Sequence, residues 1–134
     1  MADFHTALID EIRFAKQVLS HSELDQPPLS SIFFGGGTPS LFSAEQVSLI
    51  LQQLRSEFGL TTDCEVTLEA NPESTSKHLL EGLRGAGVNR ISVGVQSYDQ
   101  QVLEVLDRQH NAQLIEQAVK SAKELGFSTS VDLI

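Results

Sequence analysis

Apolar residues between Phe4 and Leu19 recur three or four apart, at Leu8, Ile12, Ala15 and Leu19, which predicts an amphipathic helix with one stripe facing a core. Pro27 and Pro28 end it in a loop. Ser31 to Gly35 is short and aromatic; Phe33 and Phe34 are adjacent rather than alternating with polar residues, so this segment predicts a strand buried on both faces. Ser43 and Gln46 then have the spacing of a capping box, with Phe42 placed to staple onto Val47. Val47, Ile50, Leu51, Leu54 and Phe58 form the apolar face of the helix that follows, which Gly59 closes. The alternation continues with a strand over Glu65 to Ala70, a helix over Thr75 to Ala86 ending at Gly87, and a strand over Arg90 to Val95. A short helix near Asp99 to Leu106 precedes one running from an Asn111 cap through Leu114, Ala118, Ala122 and Leu125 to Gly126. Ser128 to Ile134 is extended again.

Three helices finish with Gly and an apolar residue before the next strand: Gly59-Leu60, Gly87-Val88 and Gly126-Phe127. The loops are too short for other crossovers, so the four strands form a parallel α/β sheet, either doubly wound or an arc of a barrel. In both architectures the chemistry lies beyond the carboxyl ends of the strands. Here those ends carry Gly35-Gly36-Gly37-Thr38-Pro39, Glu69-Ala70-Asn71-Pro72, Gln96-Ser97 and Asp132, and polar groups are expected to converge at one rim.

With 134 residues the chain suits one domain or part of one, since a complete eightfold barrel needs roughly 200 or more. Nine Lys and Arg against eighteen Asp and Glu give a net charge of -9, which argues against nucleic acid and anionic membrane surfaces as partners. No segment approaches the roughly 18 apolar residues of a membrane span, and the first residues do not read as a signal peptide, so the expected location is the cytoplasm. Cys64 is the single cysteine, which excludes an intrachain disulfide and any site needing two thiolates from these residues, and it reads as a small apolar filler.

The glycine run offers unshielded backbone groups to a ligand, with Pro39 stiffening the exit, but it also suits a simple tight turn. It matches neither G-x-G-x-x-G nor a Walker loop. Glu69 ends a buried strand, where its carboxylate needs a ligand ammonium, Arg90 or a loop amide. The Gln96 amide suits a sugar hydroxyl, while Ser97 with Gln100 fits a helix cap. Arg108 offers a planar fork for a carboxylate or is merely solvated, and Asp132 interrupts an apolar strand as a hydroxyl ligand, a metal ligand or a structural acceptor. His5, His21, His78 and His110 lack zinc-ligand spacing.

In order and spacing, Ile32-Phe33-Phe34-Gly35-Gly36-Gly37-Thr38-Pro39-Ser40, Glu69-Ala70-Asn71-Pro72, Ile91-Ser92-Val93-Gly94-Val95-Gln96-Ser97, Arg108-Gln109-His110 and Val131-Asp132-Leu133-Ile134 resemble the radical S-adenosylmethionine family, in its branch of oxygen-independent coproporphyrinogen III oxidases and heme chaperones. The resemblance covers nearly the whole chain. It implies a partial (β/α) barrel truncated at both ends, with residues 1–134 spanning the first core helix through the fifth strand. It further implies that Gly35, Gly36, Gly37, Thr38 and Pro39 receive the methionine ammonium of S-adenosylmethionine with help from Glu69. Arg108 would hold the methionine carboxylate, and Gln96 and Asp132 the ribose. Ala70-Asn71-Pro72, Gln96-Ser97-Tyr98 and Arg108-Gln109-His110 look nearer to the chaperone branch.

Family members also carry C-x-x-x-C-x-x-C for a four-iron, four-sulfur cluster, and this sequence lacks it, so the cluster belongs to a longer parent. Heme or coproporphyrinogen and a heme-recipient protein are the partners implied. Three other readings stand beside this one: a true coproporphyrinogen III dehydrogenase, a barrel enzyme binding a phosphorylated metabolite at the glycine run, and a non-functional truncated product. The last expects an exposed apolar interior surface and self-association.

Overall fold

The computed structural model describes residues 2–134, with side chains from residue 4 onward. The chain runs α1 (Ala2–Ser20), β1 (Leu29–Phe34), a 3-10 turn (Pro39–Leu41), α2 (Ala44–Phe58) and β2 (Leu60–Ala70). A second 3-10 turn (Pro72–Ser74), α3 (Lys77–Ala86), β3 (Arg90–Gln96), α4 (Gln100–Val105), α5 (Ala112–Glu124) and β4 (Ser128–Leu133) complete it.

Helix boundaries follow local hydrogen bonding. Ser43 and Gln46 make the reciprocal capping box of α2, and Asn111 accepts from the Leu114 amide to start α5. The expectation that Ser97 caps the short helix is corrected: Asp99 is its N-cap and accepts from the amides of Gln101 and Val102. Ser97 Oγ accepts instead from the Asp99 amide, one step upstream, because the carboxylate is the stronger acceptor and lies next to the free N-H groups.

The four strands are parallel and ordered β1-β2-β3-β4. A doubly wound sheet reverses its strand order at a switch point, and this one does not. Consecutive crossovers of one hand place the connecting helices on one face, which makes this an arc of a barrel. That helix-covered face holds the core: Val66, Leu68, Ile91, Val93 and Val95 pack with Val47, Leu51, Leu80, Leu83, Ile115, Ala118 and Ala122.

Two expectations fail on the other face. Phe33 is 62% exposed, so β1 is not buried on both sides; it is an edge strand with Ile32 and Phe34 turned to the helices and Phe33 to the open face. The open face is also not apolar. Strand alternation puts Glu65, Thr67 and Glu69 of β2, Arg90 and Ser92 of β3, and Ser130 and Asp132 of β4 on it, beside Phe33. The concave side is thus a polar surface, and a ligand there meets hydrogen-bonding groups.

Candidate functional site

The cleft at the carboxyl ends of the strands has a volume of about 210 Å³ and is lined by Gly37, Thr38, Pro39, Glu69, Ala70, Asn71, Gly94, Gln96, Arg108 and Asp132. Seven of the nine residues expected at a site therefore share one cavity. The other two, Gly35 and Gly36, line a neighbouring apolar cavity of about 680 Å³ between α1, β1 and α2, which Gly37, Thr38 and Pro39 also border.

Gly36 still joins the cleft chemically, because its amide donates to Glu69 Oε2 at 3.3 Å. Gly36 has φ of 81°, a left-handed conformation that glycine adopts freely and that turns the loop back over β2. Of the partners weighed for Glu69, the loop amide is the one found; Arg90 pairs with Glu65 instead, at 2.9 Å. The loops after β1 and β2 are pinned together by Ser40 Oγ and Ser74 Oγ, 2.6 Å apart.

Arg108 reaches the cleft from the loop between α4 and α5, where Nη1 donates to Asn71 Oδ1 at 3.3 Å. That bond sets the direction of the guanidinium while using only one of its five donors. Gln96 sits in the left-handed region with φ of 64°, a strained state for a residue with a Cβ. Its amide turns back along β3: a Cβ at Gly94 would lie 3.2 Å from Gln96 Nε2 and 3.3 Å from Asn71 Oδ1, so Gly94 makes room for both. Asp132 on β4 accepts from Ser92 Oγ through both carboxylate oxygens, at 3.1 and 2.9 Å.

Asn71, Gly94 and His110 escaped the residue-by-residue reading. Asn71 and Gly94 lay within quoted motifs but gained no role, since only the folded strand ends bring them against Arg108 and Gln96. His110 lies in the Arg108-Gln109-His110 motif, where its spacing excludes a zinc site but does not reveal its partners. It is fully buried, with Nδ1 3.0 Å from Glu73 Oε2 and Nε2 3.0 Å from the Val95 carbonyl.

The donor set suits an amino-acid-bearing nucleoside. One carboxylate can pair with an ammonium, a guanidinium with a carboxylate, and an amide with a second carboxylate can take vicinal hydroxyls. It does not suit an iron-sulfur cluster. Among the described residues no group of three or more His, Cys, Asp and Glu could hold a metal ion, and buried Cys64 lies on the helix-covered face of β2. Burial, followed by the negative charge of Asp63, pushes its thiol above the ordinary value, which disfavours the thiolate a metal requires.

Comparison with known proteins identifies the family. A heme chaperone, HemW of Haemophilus influenzae, is 42% identical over 112 residues, covering 83% of this chain and 29% of its own. The oxygen-independent coproporphyrinogen III oxidase of Salmonella typhimurium is 33% identical over 129 residues, covering 96% of this chain and 27% of its own. The solved structure of coproporphyrinogen III oxidase (HemN) from Escherichia coli, described as a radical SAM enzyme, superposes with a TM-score of 0.84 at 30% identity, over 98% of this chain and 30% of that one. The chain spans under a third of the length of these relatives. The profile of the Radical SAM superfamily matches residues 10–134, and the chain belongs to that superfamily.

Proposed function

We propose that this chain supplies the S-adenosylmethionine-binding wall of a heme chaperone, acting in the cytoplasm within a longer protein that also holds the four-iron, four-sulfur cluster. The observation that carries the reading is the meeting of Glu69, Gln96, Arg108 and Asp132 in one cleft at the strand ends. Superfamily membership implies S-adenosylmethionine as the bound group, which supplies a sulfonium-activated carbon-sulfur bond.

The residues of this chain bind and orient. Glu69, steadied by the Gly36 amide, accepts from the methionine ammonium together with backbone carbonyls of the glycine run. Arg108, aimed by Asn71, grips the methionine carboxylate with its remaining N-H groups. Gln96 and Asp132 take the ribose hydroxyls. Residues 1–134 act as the first helix through the fifth strand of the core domain, and the tetrapyrrole and a heme-recipient protein engage the parent elsewhere.

Affinity for S-adenosylmethionine tests this reading. In the full-length protein Arg108→Ala is expected to weaken binding by about 10- to 100-fold, from the loss of a charge-assisted pair. Unchanged affinity would end the proposal.

A second reading, true coproporphyrinogen III oxidase, draws on the relationship to the Salmonella and Escherichia coli enzymes. The higher identity to HemW favours the chaperone. Incubating the complete protein with coproporphyrinogen, reductant and S-adenosylmethionine separates them, since protoporphyrinogen formation would overturn the chaperone reading. A phosphorylated ligand fits poorly, because the cleft offers two carboxylates against the single cation of Arg108.

A further inference from the structure

The open face of the sheet carries a one-way chain of hydrogen bonds that begins at Arg90 and ends at Asp132. Arg90 Nη2 donates to Ser130 Oγ at 3.2 Å, Ser130 Oγ donates to Ser92 Oγ at 3.0 Å, and Ser92 Oγ donates to Asp132 at 2.9 Å. The direction is fixed by chemistry. A guanidinium only donates and a carboxylate only accepts, so each serine must accept from one side and pass its single hydrogen to the other.

Strand register explains how these residues meet. Ser92 and Ser130 are direct partners across β3 and β4, while Arg90 and Asp132 pair with Ser128 and Gly94, each two positions away on the same face. Arg90 is itself held by Glu65 at 2.9 Å, and Thr67 donates to the same Glu65 oxygen at 3.0 Å. A fixed cation thus sits at one end of a polarised hydroxyl pair and the proposed ribose ligand at the other. Ser92 is 7% exposed, so solvent has little access to replace its bond. Polarised chains strengthen each bond they contain and hold the terminal acceptor in one orientation.

We propose that Arg90, Ser130 and Ser92 are positioning residues that aim the Asp132 carboxylate at the ribose hydroxyls of the bound nucleoside. Left to itself, an exposed aspartate at the end of an edge strand samples several rotamers, and binding must then restrict it. With both oxygens accepting from Ser92, that restriction exists before the ligand arrives, and lone pairs remain on each oxygen for hydroxyl donors. The inference rests on the assignment of Asp132 to the ribose and adds three residues for which the family resemblance implied no role.

The test is a calorimetric titration of S-adenosylmethionine into the full-length, cluster-loaded protein and its Ser92→Ala, Ser92→Thr, Ser130→Ala, Asp132→Ala and Ser92→Ala/Asp132→Ala variants. Ser92→Ala is expected to weaken binding about tenfold, Ser130→Ala by a smaller factor, and Ser92→Thr, which keeps the hydroxyl, to remain within about twofold of the parent. In the Asp132→Ala background, Ser92→Ala should produce no further loss, because its effect passes through that carboxylate. Asp132→Ala binding like the parent would sink the ribose assignment and this inference with it. A weakened Asp132→Ala combined with an unaffected Ser92→Ala, an additive double variant, or equal losses in Ser92→Thr and Ser92→Ala would overturn the positioning role alone.

Discussion

His110 and Glu73 form a bridge parallel to that of Arg108 and Asn71. Each partner sits two residues along from its counterpart, with His110 Nδ1 3.0 Å from Glu73 Oε2 and Arg108 Nη1 3.3 Å from Asn71 Oδ1. The second ring nitrogen of His110 donates to the Val95 carbonyl, just before Gln96, so one buried imidazole ties together the loop after β2, the end of β3 and the loop between α4 and α5. These are the segments that carry three groups of the cleft.

Replacing His110 by Ala would leave the Val95 carbonyl without its side-chain donor and a cavity at a fully buried position. The expected cost is about 2–4 kcal/mol in denaturant unfolding. Affinity for S-adenosylmethionine should fall as well, since Arg108 loses the anchor two residues beyond it. Loss of less than about 1 kcal/mol would show that the bridge contributes little.

Backbone strain at Gln96 makes a separate prediction. A side chain at φ of 64° costs roughly 1–2 kcal/mol that glycine avoids. Gln96→Gly is therefore expected to preserve stability or raise it by up to about 1 kcal/mol while weakening nucleoside binding, a separation of stability from function. Gly94→Ala should weaken binding without relieving strain, because its Cβ would crowd Gln96 Nε2 and Asn71 Oδ1. A Gln96→Gly variant that unfolds more easily than its parent by over 1 kcal/mol would refute the strain argument.

Glu65 makes a modest contribution to acid stability. Hydrogen bonds from Arg90, and then from Thr67, hold its carboxyl below its ordinary value of 4.5. A carboxylate with a depressed folded value stabilises the fold above its unfolded value, and that contribution disappears as pH falls through the folded one. Unfolding followed from pH 6 downward should show a loss of stability below about 4.5 that is smaller in Glu65→Gln. Identical pH dependence in the two proteins would contradict this. The exposed setting of the pair keeps the effect modest.

Helix and strand identity was legible because periodicity, caps and glycine stops agree along this chain, as the capping box at Ser43 and the Asn111 cap illustrate. Gathering Glu69, Gln96 and Asp132 at one rim was legible too, since parallel strands present their carboxyl ends on one side; Arg108 reaches the same rim from the loop between α4 and α5, and only the family resemblance pointed to it. Phe33 misled because adjacent aromatics look the same in a central strand and an edge strand; exposure depends on what covers the sheet, which periodicity does not encode. The Arg90-to-Asp132 chain and the His110 bridge were hidden for a related reason. Serine, histidine and glutamate at these positions become partners only once strand register and loop closure place segments 15 to 40 residues apart in contact.

Cys64 gives a prediction independent of the cleft. Its side chain lies in the core under β2, where burial raises the thiol above 9.0, Asp63 raises it further and Arg55 partly offsets both. Only the thiolate reacts readily with alkylating agents, so iodoacetamide at pH 8 should modify the folded protein at least about tenfold more slowly than the urea-unfolded chain. The same shift has a stability sign. A group whose folded value is raised keeps its contribution below the unfolded value and loses it as pH rises, because the unfolded thiol ionises first and draws the equilibrium toward unfolding. Stability should therefore decline above about pH 9 more steeply in the parent than in Cys64→Ala. The variant also loses a sulfur from the core, so it should start from a stability lower by about 1 kcal/mol. Rapid alkylation of the folded protein would contradict the protection expected from this burial.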